Sequence, residues 1–250
     1  MKNAKIIVVA GFAASFSAGA ALAETAHEAI QHAHGASEHA HLFAEATDVQ
    51  FDAYNHLIDE AINMIEEANE AAEAGDFDGG KEEMIDAVLA MKSIQEMSEA
   101  IMVTATSTHA FAEEAHKLVE SAVAINATGL AADAADPHLM AAASELAHAD
   151  KEAGHADAEA EVAQKATEAA HAAAEAALAA AEAVAAADGE AAHTAIDAAL
   201  AAAEVLDAAA WAAEHTVHDI DNSAELAFDA ILDAHDMTQT IEMIEIGEHQ

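Results

Sequence analysis

An all-α fold, either a long antiparallel four-helix bundle or two tandem helical hairpins with heptad packing, is what this sequence predicts. Helix-breaking residues are scarce, with one Pro in 250 residues. The few breaks divide the chain into four stretches of about 50 residues, each about 75 Å long as a helix. Within them, apolar residues recur three and four apart, the spacing of one helical face.

Segment 1–23 predicts a cleaved secretory signal peptide. Lys2 and Lys5 precede an apolar run from Ile6 to Leu22, and Ala21-Leu22-Ala23 offers a small-x-small cleavage site. A periplasmic location is therefore expected. The chain has no cysteine, which excludes a disulfide framework.

Residues 24–128 predict the first hairpin. Its first helix, 24–74, carries a seam of Ile30, Ala33, Ser37, Ala40, Ala44, Thr47, Phe51, Tyr54, Ile58, Ala61, Ile65, Ala68 and Ala72. That alternation of three and four gives left-handed, coiled-coil-like packing. Gly75-Asp76-Phe77-Asp78-Gly79-Gly80 reads as a turn, and a second helix runs 80–128. Thr128-Gly129 to Asp136 reads as a connection, with Asp136 an N-cap and Pro137 the first helical residue. Residues 137–250 predict the second hairpin, with helices 137–187 and 190–246 joined at Asp188-Gly189. The last helix has its own seam, Ile196, Ala199, Ala203, Leu206, Ala210, Ala213, Val217, Ile220, Ala224, Ala227, Ile231 and Ala234. In the third, Ala fills so many positions that no seam stands out. The runs Met84–Met91 and Ala195–Ala202 follow their turns at similar distances, which suggests duplication of one hairpin. Gly35, Gly154 and Asp221-Asn222 are places where a long helix could break.

The formal charge is -41, and loss of Lys2 and Lys5 with the signal peptide makes it -43. Arginine is absent. Nucleic-acid binding is excluded, because phosphate affinity is carried by Lys and Arg. Docking on an anionic membrane is disfavoured for the same reason. Such a surface attracts metal ions or a basic protein partner, and self-association is the remaining partner class.

The 17 histidines fall in stripes. His27, His34 and His41 are seven apart, as are His32 and His39, His109 and His116, and His148 and His155. Glu or Asp at offsets of minus three and plus four accompanies six histidines. The triples are Glu38-His41-Glu45, Glu113-His116-Glu120, Glu145-His148-Glu152, Glu152-His155-Glu159, Glu168-His171-Glu175 and Glu190-His193-Asp197. Those offsets put imidazole and carboxylates on one helical face, where they can converge on a cation.

With a turn near residue 77, residue x of the first helix lies level with about 154 minus x on the second. His34 and His41 with Glu38 then face His109 and His116 with Glu113, all five histidines of that stripe pair taking heptad position e. Two imidazoles and one or two carboxylates suit Cu(II), Zn(II) or Ni(II). By the same construction His155 and Glu159 lie level with His215 and His218.

The segment His27-Glu28-Ala29-Ile30-Gln31-His32-Ala33-His34, with Ser37-Glu38-His39-Ala40-His41, resembles the repeats of the small metal-binding protein family. The resemblance is close over 24–45 and loose over 46–100. It implies a periplasmic, histidine-rich helical bundle that binds several divalent metals, copper prominently. The expected function is low-specificity binding and buffering of Cu, Zn or Ni by surface His/Glu sites. The alternative is an acidic structural or interaction rod with no specific metal role. No enzyme is expected: the Glu-x-x-His pattern is similar to di-iron ligand sets, but the seam keeps these residues out of the core.

Overall fold

The computed structural model describes residues 25–132, 134 and 136–248. The expected signal peptide at 1–23 lies outside the described residues. Four helices follow in order, α1 Ala26–Glu73, α2 Phe77–Ala132, α3 Pro137–Val184 and α4 Glu190–Glu248. No strand occurs among the described residues. Each helix packs on two neighbours, α1 and α3 both lying between α2 and α4. The hairpins thus lie side by side around one shared core, a four-helix bundle rather than two tandem units.

Local chemistry sets the helix ends. Thr25 and Glu28 form a reciprocal capping box at the start of α1. At its end Asp76 N donates to Ala71 O and Gly75 N to Ala72 O, with Gly75 at φ 85°. That is a Schellman turn, which needs the left-handed conformation glycine adopts without strain. Asp76 Oδ1 then accepts from Gly79 N, so α2 starts at Phe77 and not at the expected residue 80. Asp136 caps α3 through His138 N and Leu139 N, with Pro137 at the first turn as expected. Thr128 and Gly129, expected in a connection, belong to α2. Asn126 Nδ2 ties that helix end to Leu139 O.

The helices run unbroken through Gly35, Gly154 and Asp221-Asn222. All thirteen residues of the expected α1 seam and all twelve of the α4 seam are buried. The third helix has an equally strict seam, from Ala142, Leu146 and Ala149 through Thr167 to Ala181 and Val184. In sequence it is masked because its outer faces are Ala too. The two runs of the expected duplication sit in different registers: Ile196 is buried, whereas Ile85, its counterpart, is 62% exposed. A one-residue offset rotates the two runs by about 100° relative to their seams. Between Leu146 and Val184 the α3 seam offers only Ala and one Thr, so this side of the core gains little from burial, which scales with apolar area.

Candidate metal centre

Naming the buried seam positions a and d makes Ile30, Met84, Leu146 and Ile196 all a residues. Each helix then has two flanks, e and g. The α1/α2 seam is lined by g positions: Phe43 stacks on Phe111 at 5.7 Å, and Thr104 Oγ1 donates to Gln50 Oε1 at 3.2 Å. These pairs satisfy the expected axial level. The e positions instead face across the other two seams. On α1/α4, His34 lies against Phe228 and His41 against Asp221. On α2/α3, His109 and His116 lie against Asp157.

The expected patch uniting His34, His41 and Glu38 with His109, His116 and Glu113 is therefore split between two seams. In an antiparallel pair e does face e, but a helix in a four-helix bundle meets its hairpin partner on one flank only. Here that flank is g. Glu113 is also engaged elsewhere, since Lys117 hydrogen-bonds it and holds its carboxyl below the usual range.

Around His116, at the α2/α3 seam, lie three carboxylates. Its Nδ1 lies 3.3 Å from Asp157 Oδ2. An ionised carboxylate can only accept, so this contact needs a proton on Nδ1, and in a neutral ring that leaves the Nε2 lone pair free. Nε2 points toward Asp150 Oδ1 at 3.8 Å and Glu120 Oε1 at 4.0 Å. These distances are too long for hydrogen bonds. Asp150 Oδ1 is buried with no hydrogen-bond partner. One ligand atom from each of His116, Glu120 and Asp150 lies within 4.8 Å of the others. Two ligands of a tetrahedral first-row metal sit about 3.4 Å apart, so closure needs each of the two His116–carboxylate distances to contract by about half an ångström and the two carboxylates to close in from within 4.8 Å. The Glu120 side chain, 62% exposed, is free to supply much of it. A carboxylate that accepts from the non-ligating nitrogen of a metal-bound imidazole is its usual supporting partner, and Asp157 stands in that place. The same carboxylate faces His109 Nε2 at 3.6 Å, while His109 Nδ1 donates to Gln164 Oε1.

Gly154 keeps the approach open. A Cβ there would stand 3.1 Å from His116 Nε2 and 3.2 Å from Cε1. Gly154→Ala is expected to leave the apo bundle about as stable, the better helix propensity of Ala, worth up to about 1 kcal/mol, offsetting the displacement it forces on the His116 ring. It should weaken metal binding at His116. Thermal melts and a zinc titration of the variant check both halves; unchanged zinc affinity would show that the opening is incidental.

Other expected ligands are placed apart. His32 and Glu38 are exposed, and His39 packs on Phe111 at 5.1 Å. The His27 and His34 rings lie 5.0 and 5.9 Å from the His235 ring. His148 and His155 pair with Glu152 and Glu159 of their own helix, at 3.7 and 3.0 Å. Glu152 is also bound by Lys151, which holds its carboxyl low. His215 stacks on exposed Trp211 and His218 is exposed, so neither joins His155. In heptad terms His148 and His155 are c positions, and c positions point outward.

Sequence reasoning missed Asp150, Asp157, Asp221 and His235, because none is in a His/Glu triple. A usable signal was present. The spacing His-x3-Glu-x2-His-x3-Glu occurs at 34–45, 109–120 and 148–159. Only the first two copies put their histidines on e, where the facing helix supplies an acid.

Each of Lys81, Lys92, Lys117, Lys151 and Lys165 sits against a carboxylate. No helix among the described residues is long and apolar enough to cross a membrane. Comparison of the chain with known protein families, with curated proteins and with solved structures finds no match in any of the three.

Proposed function

We propose that this chain is a periplasmic protein that binds and buffers divalent transition metals with low specificity, through His/carboxylate sites on the flanks of its bundle. The observation that carries the reading is the convergence of His116, Glu120 and Asp150 across the α2/α3 seam. Asp157, 3.3 Å from His116 Nδ1, is placed to accept from it and so to favour the tautomer whose Nε2 faces the two carboxylates. One nitrogen and two or three oxygens, with water completing the shell, accept Zn(II), Ni(II) or Cu(II) without selecting strongly among them. The resemblance of 24–45 to the small metal-binding protein family and the signal-like segment 1–23 support the same reading and its location.

The test is native mass spectrometry and calorimetry of tag-free protein with zinc, copper and nickel in turn. Binding at micromolar affinity or tighter in physiological salt is expected, and His116→Ala should remove one bound ion. Binding should also weaken below about pH 6, where imidazole ordinarily takes up a proton and stops ligating. No binding of any of the three metals would sink the reading and leave an acidic rod for a basic protein partner.

A further inference from the structure

We propose that His41, Glu45 and Asp221 form a second divalent-cation site, on the α1/α4 seam. The proposal rests on the metal-binding reading above and extends it to a place outside the His116 cluster.

His41 Nδ1 and Asp221 Oδ1 face each other at 3.7 Å, and both atoms are buried without a hydrogen-bond partner. The gap is too long for a hydrogen bond and close to the spacing of two ligands on one metal, about 3.4 Å. It also matches the 3.8 Å between His116 Nε2 and the likewise unpartnered Asp150 Oδ1. The flanking residues match too. Glu45 follows His41 by four residues, as Glu120 follows His116, and in each case the aspartate is an e residue of the facing antiparallel helix. One arrangement, His-x3-Glu on one helix and Asp on the next, thus occurs on both e-lined seams.

Charge strengthens the case. All lysines of the described residues belong to α2 and α3; α1 and α4 contain none. The carboxylates of Glu45, Asp48 and Glu225 all act on Asp221, and the group that opposes them is the His41 imidazole. Negative charge gathered on a partly buried aspartate, with no lysine on either helix, is relieved most directly by a dication. Glu45, exposed and close enough to act electrostatically on Asp221, would have to turn in to complete the set, with water in the remaining position.

Native mass spectrometry with zinc on the tag-free full bundle tests the proposal. Wild type should hold two tightly bound zinc ions. His41→Ala and Asp221→Asn should each hold one, His116→Ala one, and the His41/His116 double variant none. Circular dichroism must show the same helix content throughout. If Asp221→Asn and His41→Ala keep both ions, or wild type holds a single ion that His116→Ala removes, the second site is overturned while the His116 site stands. If wild type holds none, the metal reading itself fails.

Discussion

Zinc at a hundredfold excess over its dissociation constant should stabilise the bundle by about 2.7 kcal/mol for each ion bound to the folded state alone. In a domain of this size, about 1 kcal/mol moves the melting temperature by roughly 2–4 °C, so each ion should add roughly 5–11 °C. Placement makes the effect large. Both candidate sites join hairpin 1 to hairpin 2, and the α1/α4 site lies on the one seam that no turn closes. The α3 side of the core is nearly all alanine, so few large apolar contacts compete with the metal in holding the helices together. The His41/His116 double alanine variant should lose the shift, whereas His138→Ala, at an exposed helix start, should keep it. A full shift in the double variant would move the binding to scattered surface pairs and sink both seam sites.

Much of this fold was legible in the sequence because glycine, proline and the heptad act locally. The turns at Gly75 and Gly189, the cap at Asp136 and the seams of α1 and α4 follow from neighbours within a few residues. Even the axial level of α1 against α2 follows from the position of one turn, as the Gln50–Thr104 pair bears out. Which flank of a helix meets which neighbour is a different kind of fact. It depends on how the second hairpin packs beside the first, and nothing local to His41 or His116 encodes that. The candidate sites were therefore half legible: the histidine and the glutamate four residues on could be named, the aspartate on the facing helix could not. Asp150 is 34 residues from His116 and Asp221 is 180 from His41, separations over which spacing carries no information.

Asp221→Asn should make the apo protein melt higher at neutral pH while removing zinc from the α1/α4 site. Burial raises the Asp221 carboxyl above its usual range; His41 pulls it back, and Asp48, Glu45 and Glu225 push it further up. A carboxyl whose folded-state value lies above its unfolded one binds its proton more tightly when folded. The ionised group therefore costs stability above that folded-state value, and the cost disappears as pH falls through it. Asparagine keeps the shape without the charge, so the variant should gain a few degrees at pH 7 and the gain should shrink on acidification. The wild type should follow the same direction on a larger scale. With 48 acidic residues against seven lysines, self-repulsion eases as pH drops from about 8 toward 5.5, and the apo bundle should melt progressively higher. Melting curves of both proteins over that range, with monomer confirmed at each pH, test this. An asparagine variant that melts lower than wild type at pH 7 would mean that Asp221 is held by a favourable pair with His41. The site would then be a salt bridge, and the trade of stability for cation binding at this seam would be excluded.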